Sequence, residues 1–278
     1  PASFGKIYKN TGIKLVSVMT ILFFVLMLGG SLMSGSNLFG RYEGDFYAIF
    51  PHNFLAVLFG SVFIIAFMLL GLGIAKFWKQ TSKIIPEGVE QPDILIASKN
   101  ILTLKYLDGG HGKGCNEEDD RYTQIRRIYH HFTMYGFLLC FLATSVATVY
   151  HYFFNLQAPY AYTSLPVILG TLGGIGLVIG PIGLLYLNYK RHPLHGDVEQ
   201  KPMDRGFIFL LLIVSITGLA LMIFRDSSAM ALLLILHLAT VMTFFLTIPF
   251  GKFAHGFYRS AALLKFAVEE RIAKHKTK

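Results

Sequence analysis

Four histidines set the chemistry open to this chain: His130, His151, His237 and His255. Each lies at one end of a long apolar stretch. His237 and His255 are 18 residues apart, which is about five whole turns of α-helix. A continuous helix over 235–257 therefore sends both imidazoles out on one face. The rise between them, about 27 Å, is close to the thickness of a bilayer's hydrocarbon core. His130 and His151 are 21 residues apart, nearly six turns and about 60° out of phase. His131 and His151 differ by 20 residues, about 160° out of phase. Helical phase thus favours His130 as the mate of His151, and leaves the choice between His130 and His131 open.

An ionisable side chain inside a membrane demands a partner. The two segments are separated by two others, so they run antiparallel. His130 then lies level with His255, and His151 with His237. Two facing imidazole pairs, one near each membrane surface, are the ligand set of two bis-histidine b-type haems. Zinc needs three or four ligands at each level, which these segments do not offer. Single membrane histidines also serve as helix contacts or proton relays. Four at matched depths on two segments favour haem.

The elements that carry these residues are read from composition and hydropathy. Of 278 residues, 54% are apolar and 15% charged, with mean hydropathy +0.54. Soluble domains carry about 25% charge. Apolar segments occupy roughly 12–33, 49–77, 128–155, 163–189, 206–224 and 230–257. Only helices and closed barrels satisfy the backbone in lipid, and barrel-type alternation is absent. The expected fold is an all-α, six-span membrane helix bundle in one domain. Nearly every Lys and Arg flanks the same side of the spans, Arg41 and Arg225 excepted. The positive-inside rule then places both termini in the cytoplasm. The net charge of +9 is explained by lipid and topology, without nucleic acid. The first apolar run lacks a small-residue cleavage site and reads as a true span.

Other features carry less chemistry. Cys115 and Cys140 are too few for a four-Cys cluster or a disulfide framework. His111 and Cys115 read as part of an ordered turn. His52, beside Pro51, reads as an interface residue that could border a quinone pocket. His192 and His195 fall in a basic, solvated loop, and His275 in the tail. Arg126, Arg127 and Arg225 could pair with haem propionates, or serve topology alone. In the fourth segment, Gly170/Gly174 and Gly176/Gly180 are spaced for close helix contact, more than for making room for a macrocycle. Pro181 is a candidate kink. The tail, 258–278, has the pattern of an interfacial amphipathic helix or a docking surface.

The pattern His237, Pro249, Lys252, His255 resembles the haem-bearing helix of nitrate reductase gamma subunits, and the membrane subunits of heterodisulfide reductases are similar. A closer resemblance is to the citrate/tricarballylate utilisation protein B family. It is carried by LKYLDGGHGKGCNEEDD (104–120), the third apolar segment, KRHPLHGD and QKPMDRGF (190–207), and IPFGKFAHGFYRSAALLK (248–265). That resemblance implies haem at His130, His151, His237 and His255, and electron flow from a cytoplasmic flavoprotein dehydrogenase acting on tricarballylate or citrate to the quinone pool. It implies residence in the bacterial inner membrane and an iron–sulfur domain or subunit, the ferredoxin-like region of the family, which this stretch of sequence does not hold. The competing expectation is a haem-free transporter or anchor for a tricarboxylate. A trianion would need cationic groups in the spans, which are nearly without Arg and Lys.

Overall fold

The computed structural model describes residues 2–82, 88–109, 112–114, 121–191 and 197–276. His111, Cys115, His192 and His195 lie outside the described residues. The chain is all-helical, and no strand is found among the described residues. In order, the helices are α1 (Ala2–Thr11), α2 (Ile13–Met33), α3 (His52–Thr81), α4 (Gln91–Leu102), α5 (Ile125–Phe154), α6 (Leu165–Lys190), α7 (Lys201–Ile223), α8 (Met230–Thr247) and α9 (Ala254–Lys276). α2, α3, α5, α6, α7 and α8 are long and apolar enough to cross a membrane. Their outward surfaces show large bare side chains, among them Val18, Leu26, Val57, Ile64 and Leu72, each more than half exposed. An apolar surface of that extent belongs against lipid.

Small residues place α5 against α6. A Cβ at Gly176 would lie 3.0 Å from the Phe132 carbonyl oxygen and 3.1 Å from Gly136 Cα. One at Gly173 would meet the Cys140 backbone nitrogen at 2.8 Å, and one at Gly180 the Thr133 nitrogen at 2.6 Å. The two backbones touch along this stripe, as close-packed membrane helices do. Gly174 turns the other way and seats Leu219 of α7, so Gly170 and Gly174 do not share a neighbour. Pro181 is buried inside α6, and the helix continues through it to Lys190. The core has two centres. Met27, Ile49, Leu221, Met230 and Ile235 fill one. Tyr8, Val16, Leu210, Phe244 and Ile248 fill the other, at the end where the basic residues gather.

One expectation is corrected. The last apolar segment is not one helix. α8 stops at Thr247, a turn occupies 248–253, and α9 restarts at Ala254. Pro249 has no N–H to continue the ladder, and Phe250 and Gly251 both donate to the Thr247 carbonyl instead. His237 and His255 therefore belong to different helices. The tail forms a helix held against its neighbours. α9 packs along α4 and the end of α3, with Phe257 and Tyr258 against Phe67 and Phe77 and the Lys265 ammonium 4.4 Å above the Trp78 ring.

An ion-pair clamp holds α4 to α9. Asp93 closes a capping box with Glu90, and both accept from Arg271, at 3.1 and 2.6 Å. Burial raises the Asp93 carboxyl, but the Arg271 guanidinium and the Glu90 backbone N–H outweigh it, leaving the group below its ordinary range. A depressed carboxylate stabilises the fold above its unfolded pKa, about 3.9, and loses that contribution as pH falls through the folded value. The α4–α9 contact is therefore expected to survive down to about pH 4 and to open below it, read by hydrogen exchange across α4. Asp93→Ala should open it at neutral pH, at a cost of about 2 kcal/mol. Gly176→Val should destabilise the detergent-solubilised protein by about 1–3 kcal/mol through overpacking. Gly60→Ala, where a Cβ meets open space, should leave the melting temperature unchanged.

Candidate functional site: imidazoles at two levels of the bundle

The turn between α8 and α9 presents His255. Its Nδ1 is hydrogen-bonded to the carbonyl oxygen of Lys252. A carbonyl can only accept, so the proton sits on Nδ1, and Nε2 carries the free lone pair. The Lys252 ammonium is tied 3.0 Å from Asp204, in the first turn of α7. Further contacts brace the turn: Phe4 on Phe250, Phe207 and Phe137 on Phe253, and the buried Tyr8 ring over Gly251. His255 keeps open ring surface, yet protein crowds it. Burial, with the nearby Lys252 and Arg259 charges, holds its pKa below the ordinary imidazole range, against the opposing pull of the Lys252 carbonyl and Asp204. The neutral ring is the form that ligates a metal.

Across from it, His130 of α5 lies within electrostatic reach of His255, Arg126 and Arg259. Its ring is also drawn to the Arg126 backbone carbonyl one turn back. His131 turns elsewhere on α5, its ring parallel to that of Tyr135 with centroids 5.8 Å apart. Of the adjacent histidines, His130 is the one beside His255. Arg127 spends both Nε and Nη2 on the Thr103 carbonyl. Arg259 was not singled out by sequence reasoning, although its place one turn after His255 is a visible signal.

At the other end of the bundle, His237 of α8 faces α7. Its Nδ1 lies 3.1 Å from Thr217 Oγ1, and its Cε1 lies 2.9 Å from where a Cβ on Gly218 would be. The Thr217 hydroxyl donates its one proton within its own helix, to the Ile213 carbonyl at 2.8 Å. It therefore accepts from His237 Nδ1–H, and here too Nε2 is left with the lone pair. His151 makes different contacts. Its ring stacks on His52 of α3 at 3.8 Å and 17°, with Tyr47 and Tyr152 around the pair. Its Nδ1 is buried and unpartnered. His52 is thus a neighbour of His151, a contact between distant stretches that periodicity could not reveal. Arg225 donates to the Tyr160 carbonyl at 2.7 Å and lies over the Tyr162 ring, so this loop engages its guanidinium.

Between the two levels, aromatic rings connect the helices. Phe137 of α5 meets Phe244 of α8 at 5.9 Å and Phe253 of the turn at 4.9 Å. Phe63 and Phe67 of α3 reach Phe245 and Phe257. The spacing of the histidines did not point to these residues. Their signal was only the abundance of Phe, 25 in the chain.

The donor set suits haem. Two imidazoles offer a bare Nε2 with Nδ1–H fixed by an acceptor, the outer-shell arrangement that orients a metal-bound histidine. His151 carries a buried, unsatisfied Nδ1. No cluster of three or more His, Cys, Asp or Glu suited to a metal ion occurs among the described residues.

Six apolar spans with imidazoles at two levels of the bundle define a polytopic helical membrane protein. The chain belongs to the citrate utilisation protein B family, whose profile, described as "Citrate utilization protein B", matches residues 10–276. It is 58% identical over 276 residues to the Escherichia coli protein of that name, spanning 99% of this chain and 72% of the relative. No solved structure matches. Gly218→Ala is expected to press on the His237 ring and lower the melting temperature by several degrees, as overpacking does. Thr217→Ser keeps the acceptor and should be near neutral, whereas Thr217→Val should resemble the glycine variant.

Proposed function

We propose that this chain is a di-haem b-type cytochrome of a citrate- or tricarballylate-utilising system, passing electrons across the membrane. The observation that carries the reading is the His130–His255 neighbourhood at the basic end, where His255 presents a bare Nε2 and Arg126 and Arg259 supply positive charge. His130 and His255 would hold one haem, and His151 and His237 the other. Bound haem supplies a one-electron redox centre at each level. The chain's own work is to hold and tune. Lys252 and Thr217 fix the tautomers of His255 and His237, and Asp204 steadies Lys252. Arg126 and Arg259 are placed to receive propionate charge. The phenylalanines of α3, α5 and α8 keep the intervening space apolar.

Both termini and the basic loops lie in the cytoplasm of a bacterial cell, with the bundle in the inner membrane. Electrons would enter at the His130/His255 level from a cytoplasmic flavoprotein dehydrogenase with iron–sulfur centres, and would leave to quinone. The family name supports the tricarboxylate connection, and the basic surface suits an acidic redox partner. The alternative, a haem-free tricarboxylate transporter or anchor, is less well supported. The space between α3, α5 and α8 is lined by phenylalanines, with no cationic group on these contacts to draw in a trianion.

The purified protein, produced with ample haem, should give a dithionite-reduced spectrum of low-spin b-type haem. Haem per chain should fall by about half in His130→Ala and in His255→Ala and stay unchanged in His131→Ala. A preparation without haem absorbance ends this reading. Redox-independent citrate uptake into proteoliposomes would favour the transporter instead.

A further inference from the structure

α4 carries an apolar stripe that no other described residue covers. Ile94 is 50% exposed, Leu95 64% and Leu102 48%. At helical spacing these lie on one side. The opposite side, Asp93, Ala97 and Asn100, is buried where α4 packs on α9. The tail's apolar residues are thus taken up by α4, and the exposed stripe passes to α4 itself.

Two contacts fix the depth at which α4 ends. Tyr135 donates from its hydroxyl to the Leu102 carbonyl at 2.8 Å, and Arg127 holds the Thr103 carbonyl. Tyr135 lies ten residues into the membrane-spanning α5, about 15 Å along its axis. Its side chain leans back towards the helix start. The end of α4 therefore sits at the level of the first turns of α5, at the edge of the apolar span. Ile128, Phe132 and Tyr135 are 42–49% exposed on that part of α5, so the α4 stripe continues the surface the span offers to lipid. Its rim is basic and aromatic. Lys99 and Lys105 are exposed, and the Lys105 ammonium lies 5.4 Å above the Tyr106 ring. An apolar face, a lysine rim and tyrosines at one depth make up an interfacial helix.

We propose that α4 is a membrane-interface helix whose Ile94, Leu95 and Leu102 rest in the headgroup–acyl boundary of the bilayer on the basic side. It thereby seats the α4–α9 unit, with α9 carrying His255 at its start, on the lipid surface. The proposal requires only that the bundle stand in a bilayer. It is independent of haem.

The test uses the full chain, with Cys115→Ser and Cys140→Ala, in vesicles of phosphatidylcholine and phosphatidylglycerol. An environment-sensitive fluorophore is attached at Leu95→Cys and, for comparison, at Glu269→Cys on the exposed side of α9. Emission from position 95 should be blue-shifted and lose most of its intensity to a nitroxide carried on the lipid. Position 269 should be quenched by aqueous iodide. Equal iodide quenching at both positions, without lipid quenching at 95, overturns the proposal and assigns the stripe to a soluble protein partner. The unmutated chain provides a second reading. A lipid-borne diazirine should label the segment 94–102, and photolabel confined to the six spans overturns the proposal equally.

Discussion

The Nδ1–H of His255 is received by the Lys252 carbonyl, which also takes the His255 backbone N–H at 3.1 Å in the turn that follows the end of α8 at Thr247. In a continuous helix the same carbonyl would be committed to the backbone N–H four residues on. The break at Pro249 and Gly251 turns a lost helical turn into a fixed imidazole. Much of the basic end is built around it. α1 supplies Phe4 and Tyr8 to the turn, α7 supplies Asp204 and Phe207, and α5 supplies Phe137. Only a braced turn can hold a side chain at the edge of an apolar bundle, where a wrongly aimed polar atom has little water to turn to.

The second constraint is the rotation of α5. Its small-residue side is pressed against the glycines of α6 with backbones in contact, so α5 cannot turn about its axis without a clash. That one fit decides where the other sides point. His130 and Phe137 face the turn and α8, while His131 and Tyr135 go with the outward surface and α4. The adjacent histidines owe their different surroundings to a helix interface that neither takes part in.

At the opposite end, polar aromatic residues surround the imidazoles. His52 and His151 stack, Tyr47 and Tyr152 edge onto them, and His237 is turned to Thr217 and Gly218. The two ends thus hold their imidazoles by different means: a carbonyl and charges at one, a hydroxyl and ring contacts at the other. A difference of that kind is how a protein sets two chemically identical groups apart in energy.

Sequence alone determined the class of the molecule. Hydropathy and length marked six spans, because a bilayer asks the same apolar length of every helix that crosses it. The glycines of α6 announced a close contact, since the smallest residues let two backbones approach, although spacing could not say that Gly174 serves a different neighbour. Family-specific motifs between 104 and 265 pointed to the family. What spacing could not deliver was anything that depends on where a helix stops or turns. The residues 235–257 have the hydropathy of one helix, and only the path of the folded chain shows the break that separates His237 from His255. The stacking of His52 on His151, the place of Arg259 and the covering of α9 by α4 likewise join residues from about 100 to nearly 180 positions apart. Contacts at that separation arise from packing in three dimensions, which no period along the chain encodes.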